Sequence, residues 1–434
     1  MPGADPEALR LLEFIDASPS PHHAVAGVSR RLGDQGFQML DETEPWPDRP
    51  GRYLVVRGAS LVAWQVKPAA SPLAGFRLVG AHTDSPNLRI KPRPDSASHG
   101  YRQLGVEVYG GALLNSWLDR DLGVSGRVTL RDGRRPAVRL FRVDRPLLRI
   151  PQLAVHLDRG VNEQGLKLNP QQHLMPVWSL GPPDEEGFRR FLAKELGVAE
   201  DAVLTWDAMV HDVAPSTILG VDREFVSAPR LDNLASCHAA VQALVAQLDD
   251  EDWDGRAPGV PVVCLYDHEE VGSQSAEGAD GAFLSTMLER IAHAARLDRD
   301  AFHRSLAASM CVSADGAHAT HPNYPERHDP AHPVRIGGGP VLKVNANVRY
   351  ATDATTAARF ELACDAAAVP LQRFVSRTDM PCGSTIGPVT AARLGVPTVD
   401  VGIPQLAMHS ARELCGAADP GMFVAALTAF LISP

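Results

Sequence analysis

The stretch Val260-Pro-Val-Val-Cys-Leu-Tyr-Asp-His-Glu-Glu-Val-Gly-Ser273 sets an apolar run directly against four ionisable side chains, Asp267, His268, Glu269 and Glu270. The run from Val260 to Tyr266 is short, continuous and rich in β-branched residues, the pattern of a strand buried on both faces. A surface turn could carry the four polar groups at no cost, and a reaction centre would need them. The rest of the chain has to decide between the two.

The same texture recurs along the chain. Arg77-Leu-Val-Gly-Ala81 runs into His82-Thr83-Asp84, and Ser309-Met-Cys-Val-Ser-Ala314 runs into Asp315. Val399-Asp-Val-Gly-Ile-Pro-Gln-Leu-Ala-Met408 runs into His409, while Asp232 opens a helical stretch in Pro229-Arg-Leu-Asp-Asn233. Between these runs lie helical stripes. Leu234, His238, Val241, Leu244, Val245 and Leu248 form one, residues 281–309 read as one helix, and Pro420-Gly-Met-Phe-Val-Ala-Ala-Leu-Thr-Ala-Phe-Leu-Ile-Ser433 closes the chain as another. Near the start, Asp5 and Pro6 read as a helix N-cap and first turn, and a second helix follows Pro21 and ends near Gly33. Alternating strands and helices predict an α/β fold: a mostly parallel sheet sandwiched by helices.

From residue 92 to 225 the texture changes to short alternating segments, with a hairpin at Asp132-Gly133. The expected organisation is a discontinuous α/β domain, residues 1–91 and 226–434, interrupted by a β-rich insert at 92–225. The 434 residues suffice for about three domains of ~150 residues, and two unequal ones fit as easily. Hydrophobic residues at 44% and charged residues at 22% describe an ordinary water-soluble chain with a full core. A net charge of −10 argues against nucleic acid as a partner and requires local positive charge to catch an acidic substrate. No apolar run approaches the roughly 20 residues of a membrane helix, and no signal peptide is expected at the N-terminus. The six scattered cysteines, without a CxxC pair, read as buried thiols of a reducing compartment, so a cytoplasmic location is expected.

In open α/β sheets ligands bind beyond the carboxyl ends of the strands, so the polar segments can converge on one cleft. Their residue types suit two divalent ions, since zinc accepts imidazole nitrogen and carboxylate oxygen, and cobalt or manganese suits the same set. Two ions need one bridging carboxylate and further ligands on each. Asp232 is expected to bridge, with His82 and Asp315 on one ion and Glu270 and His409 on the other. Glu269 is then left free beside the activated water as general base, and Asp84 fixes the His82 tautomer from behind. Taken singly, each residue has an ordinary reading: adjacent glutamates are a solvated turn, Asp232 is a helix N-cap, Asp315 and His409 are structural or exposed. Their joint occurrence at strand ends favours the reaction centre.

The motifs Gly80-Ala-His-Thr-Asp-Ser-Pro86, Pro229-Arg-Leu-Asp-Asn233, Leu265-Tyr-Asp-His-Glu-Glu-Val-Gly-Ser273, the run 313–330, the run 339–353, Gly383-Ser-Thr-Ile-Gly-Pro388 and Ala407-Met-His-Ser-Ala-Arg-Glu413 together make the chain resemble the aspartyl aminopeptidases, dinuclear zinc aminopeptidases with a phosphorylase-like α/β core. The resemblance spans nearly the whole chain. It implies the same metal ligands and the same base. It also implies four substrate-binding positions that residue chemistry alone does not single out: His156, His318, Lys343 and Tyr350. His156 would reach a neighbouring subunit's site, as a substrate contact or as part of the metal environment; on bare statistics it is a strand histidine facing solvent. Lys343 would meet an acidic substrate side chain; its ordinary reading is an exposed strand lysine. The insert would be a dimerisation domain from which dimers build a dodecamer, and the substrates would be short peptides with a free N-terminus. Loss of Glu269 is expected to abolish turnover with metals retained, and loss of Asp232 to cost both ions.

Three other readings stay open at this level. They are a two-metal hydrolase of different specificity (a broad or Leu-preferring aminopeptidase, or an N-acyl amino acid deacylase), a non-catalytic assembly protein on the same fold, and a zinc-stabilised binding module. An intact Glu269 argues against the second and the absence of cysteine-rich ligand sets against the third. The remaining histidines take ordinary roles: His22 and His23 begin a helix, His268 supports the strand end, and His321, His328 and His332 order a loop. Gly337-Gly-Gly-Pro340 is a turn rather than a phosphate loop.

Overall fold

The computed structural model describes residues 5–68, 70–248 and 259–433. Its centre is a nine-stranded sheet in the order Gln38–Met39, Gly51–Arg57, Ser60–Val66, Val260–Tyr266, Phe76–His82, Met310–Ala314, Thr398–Gly402, Val341–Val344, Gln372–Val375. Five of its eight pairings are parallel, so the sheet is mixed with a parallel majority. Val260–Tyr266 and Phe76–His82 are buried at every position, which is why both read as unbroken apolar runs rather than alternating ones.

Helices cover both faces. On one side Pro6–Asp16, Pro21–Asp34, Leu231–Ala246, Ala354–Ala366 and Asp419–Ile432 pack through Leu11, Leu32, Leu244, Phe360 and Phe423. On the other Phe283–Ala294, Arg299–Ala307 and Ile386–Leu394 pack through Phe283, Met287, Phe302 and Ile386. The expected helix ends hold at the N-terminus, where Asp5 accepts the Glu7 N–H at 2.7 Å and Ser20 caps the second helix. The single helix expected over 281–309 is two. Arg296 turns left-handed (φ 62°) and Asp298 caps a new helix by accepting the Ala301 N–H, so a fresh start overrides the periodicity.

A second, six-stranded antiparallel sheet runs in the order Arg135–Leu148, Leu122–Asp132, Val203–Asp212, Asn87–Ser98, Tyr101–Tyr109, Val177–Leu180 around its own apolar core. The strand Asn87–Ser98 runs through residue 91, so the change of sheet falls a few residues before the boundary expected there. At the other end, Thr217–Leu219 and Phe225–Ala228 join Glu413–Gly416, Pro404–Leu406 and Ala317–His318 in a third sheet of five strands. That small sheet links the return from the insert to the loop that carries His409. No helix among the described residues is long and apolar enough to cross a membrane.

Candidate active site

Three neighbouring parallel strands of the central sheet end together. Phe76–His82 lies between Val260–Tyr266 and Met310–Ala314, so its last residue, His82, emerges between Glu269-Glu270 on one side and Asp315 on the other. Asp232 enters from the start of Leu231–Ala246. It is not the N-cap of that helix. Asp232 and Asn233 have non-helical backbone, which turns the carboxylate toward the strand ends instead of back onto helix amides. Ser85 Oγ donates to the Asp232 carbonyl at 2.6 Å and Asn233 Nδ2 to the Ala314 carbonyl at 2.8 Å, holding this turn against two of the strands. His409 comes last, in left-handed backbone (φ 66°) after the strand Pro404–Leu406.

The side chains converge in two groups sharing Asp232. His82 Nε2 is 3.4 Å from Asp232 Oδ1 and 3.4 Å from Asp315 Oδ1. The other Asp232 oxygen is 3.4 Å from His409 Nε2, which is also 3.4 Å from Glu270 Oε2. Each trio places one ligand atom per residue within 4.8 Å of the others. Glu269 lies outside both trios, with Oε2 3.9 Å from His82 Nε2, and forms a third close group with His82 and Glu270. Asp84 is fully buried behind them: its carbonyl is 3.0 Å from His82 Nδ1, and its carboxylate accepts the Glu269 and Glu270 N–H groups at 3.1 Å each.

This donor set fits divalent cations. Asp232 Oδ1 and Glu270 Oε1 are buried and have no hydrogen-bond partner, a costly state for carboxylate oxygens unless a cation supplies the partner. Burial, then the nearby Asp232 charge, pushes Glu270 well above the carboxylate range. Burial also raises Glu269, to about 8, opposed by the attraction of His82 and reinforced by the charges of Asp315, Asp84 and Asp232. For His82 burial opposes charge, and the carboxylates of Asp232, Asp315 and Asp84 more than reverse it. Cations held by these residues would relieve this mutual repulsion and leave the imidazoles neutral.

A cleft of about 1250 Å³, its mouth included, opens over the carboxylates and is lined by His318, Lys343 and Tyr350 among others. Lys343 is not an exposed strand lysine. It is 2% exposed, its Nζ donates to the carbonyls of Asp315 (3.2 Å) and Gly316 (3.0 Å), and it lies 3.6 Å from Asp315 Oδ2. Tyr350 faces it, the ammonium 5.1 Å from the ring centroid. His156 stands apart, exposed in a turn of the segment between Ile150 and Val177, and it is absent from the cleft lining of its own chain. Asp267, His268 and Glu277 form a further close group, whose atoms are largely committed locally: Asp267 accepts the His268 N–H, His268 Nδ1 meets Ser275 Oγ at 2.9 Å, and Glu277 accepts the Ala59 N–H. It braces the strand end.

Glu413 escaped the sequence reading. Fully enclosed, it accepts the Asp232 N–H at 2.9 Å and the His409 N–H at 2.7 Å, tying the two shared-site residues to each other. Its only sequence signal is an acid four residues after His409.

A family model described as "Aminopeptidase I zinc metalloprotease (M18)" matches residues 14–431. A "probable M18 family aminopeptidase 2" of Streptomyces coelicolor is 53% identical over 422 residues, 97% of this chain and 96% of the relative. Among solved structures, the complex of Ape4 and Nbr1 superposes with a TM-score of 0.94 at 37% identity, over 98% of this chain and 85% of that one. The S. cerevisiae mApe1 dodecamer superposes with a TM-score of 0.84 at 28% identity, over 98% and 95%.

Proposed function

The chain belongs to the M18 family of zinc metalloaminopeptidases, and from that membership we propose that it removes a single N-terminal residue, Asp or Glu by preference, from short peptides at a two-ion site. The observation that carries this reading is the shared carboxylate: Asp232 turns one oxygen to each histidine-containing trio, with Glu269 at their edge and not needed as a ligand of either. His82, Asp232 and Asp315 would hold one zinc ion, and Asp232, Glu270 and His409 the other. Zinc bound there supplies Lewis acidity for the scissile carbonyl and a lower pKa for the attacking water.

The remaining work falls to the chain. Glu269 takes the water's proton and returns it to the departing amine, a task that needs a carboxylate within reach and uncommitted as a ligand. Asp84 orients His82 and the backbone of both glutamates. His318, Lys343 and Tyr350 line the cleft where the first side chain would sit. The preference for an acidic side chain rests on the family resemblance and on the positive charge of Lys343 in that wall, whose ammonium is already engaged by Asp315 and Gly316 and would act through its field. We assign residues 87–212 as the inserted unit and the rest as the catalytic body. We further propose a homo-oligomer built from dimers, a dodecamer as in the mApe1 relative, with His156 offered to a neighbour's cleft. Exposed Leu153, Val155 and Leu157 around that histidine support such a contact. The cytoplasm is the compartment that suits its free cysteines.

The test is hydrolysis of Asp-, Glu-, Leu- and N-acetyl-Asp-anilides by zinc-loaded protein, with Glu269→Gln alongside. Cleavage of the free-amine Asp and Glu substrates, with kcat lowered about 10²–10⁴-fold in the variant at unchanged zinc content, is the expected outcome. A preference for Leu would remove the specificity and keep the mechanism. Cleavage of the acetylated substrate would make the protein a deacylase, and no cleavage at all would return it to an assembly role.

A further inference from the structure

The segment Tyr109–Leu113 leaves the inserted sheet at the end of the strand Tyr101–Tyr109 and lies against both halves of the site. On the His82 side, the Tyr109 O–H donates to Asp84 Oδ2 at 2.7 Å. That same carboxylate accepts the Glu269 and Glu270 N–H groups and lies 3.5 Å from His82 Nδ1. The hydroxyl therefore holds the carboxylate that fixes the backbone of both glutamates, on the residue whose carbonyl is 3.0 Å from His82 Nδ1. The Tyr109 ring is itself backed by Arg89, whose guanidinium carbon lies 4.1 Å from the ring centroid. Arg89 Nε and Nη2 are buried without a hydrogen-bond partner, so the ring face is a principal stabilising contact for that charge.

On the other side, the Gly111 carbonyl accepts from His409 Nδ1 at 3.1 Å. With the proton on Nδ1, the Nε2 lone pair is left facing Asp232 and Glu270. The Leu113 N–H donates to the His409 carbonyl at 3.0 Å. The approach is close, and a side chain there would press on the site. A Cβ on Gly110 (φ 70°) would lie 3.0 Å from Glu270 Cβ, and one on Gly111 would lie 3.2 Å from His409 Nδ1.

We propose that Tyr109 and the Gly110-Gly111 turn are positioning residues for both ion subsites, so that the insert is a structural part of the catalytic centre and not only an assembly surface. The inference rests on the two-ion reading above. A mere seal between two units would use apolar contact; here the insert spends a hydroxyl and a carbonyl on an aspartate and a histidine of the site.

The test pairs Tyr109→Phe, which keeps the ring over Arg89 and deletes the O–H, with Gly111→Ala. Zinc content and affinity are read by chelator competition, the visible spectrum is taken on cobalt-loaded protein, and kcat and KM are measured on an Asp-anilide. Tyr109→Phe is expected to lose about 10–100-fold in zinc affinity or kcat, with KM within about twofold, an altered cobalt spectrum and an unchanged thermal midpoint for the metal-free protein. Gly111→Ala is expected to weaken one ion selectively, bringing zinc content toward one per chain. Wild-type affinity, spectrum and kcat in Tyr109→Phe would overturn the inference and leave the site reading intact. If wild-type protein binds no zinc, or His82→Ala and His409→Ala leave its zinc content unchanged, the site reading itself falls and the inference with it.

Discussion

Among single residues, the chemistry that had to be present could be read from side-chain types. Two histidines, three carboxylates and a further glutamate beside them at loop positions are the residue types a metal-dependent hydrolase uses, and few other roles would call for all of them. The groups that hold them in place were less legible. Glu413 shows why: it acts on the Asp232 and His409 backbone amides with both oxygens, and an acid that binds amides has no characteristic spacing. Glu413→Gln keeps one acceptor and turns an NH₂ toward the other amide, so one N–H loses its partner and the Asp232–His409 geometry loosens. Zinc affinity is expected to fall about 10–100-fold with every ligand still present. Chelator competition against wild type checks it, and equal affinity would mean that Glu413 serves packing alone.

Elements were legible wherever burial is uniform. The strands ending at Tyr266 and His82 are enclosed on both faces and announce themselves as apolar runs, whereas 281–309 carries a continuous helical stripe across a break that only the Arg296 turn and the Asp298 cap reveal. The helix Pro21–Asp34 was placed correctly, yet its first turn hides a titratable group. His22 packs there in the buried interior, and burial, then the nearby Arg127 charge, lowers its pKa to about 3. A histidine kept neutral in the folded state takes up its proton only on unfolding. Its contribution is therefore full above the unfolded pKa near 6.5 and is lost as pH falls from there toward 3. The expected slope is at most about 1.4 kcal/mol per pH unit. Urea unfolding of wild type and His22→Asn at pH 7 and pH 5, both in chelator, isolates it. Wild type should lose more stability on acidification than the variant, and parallel losses would assign the acid sensitivity elsewhere.

At the level of the whole molecule, three sheets share one site. The central sheet delivers His82, Glu269, Glu270 and Asp315, the five-stranded sheet carries the loop to His409, and the inserted sheet supplies Tyr109 and Gly111. The insert also exposes Leu157 at 74% beside His156, so Leu157→Asp is expected to lower the mass seen by light scattering and to reduce activity, with zinc content per chain unchanged. A mass and activity equal to wild type would remove this segment from the proposed assembly. By itself the sequence determined the α/β class, the strand ends and the identity of the candidate ligands, because buried parallel strands must be apolar and metal chemistry restricts the residue types that follow them. Only the tertiary structure decided where the inserted sheet begins, that Lys343 is buried beneath Asp315, and which groups hold the ligands in place. Those depend on strand order and on backbone amides and carbonyls brought together from distant parts of the chain, and a backbone group is the same whatever side chain it carries.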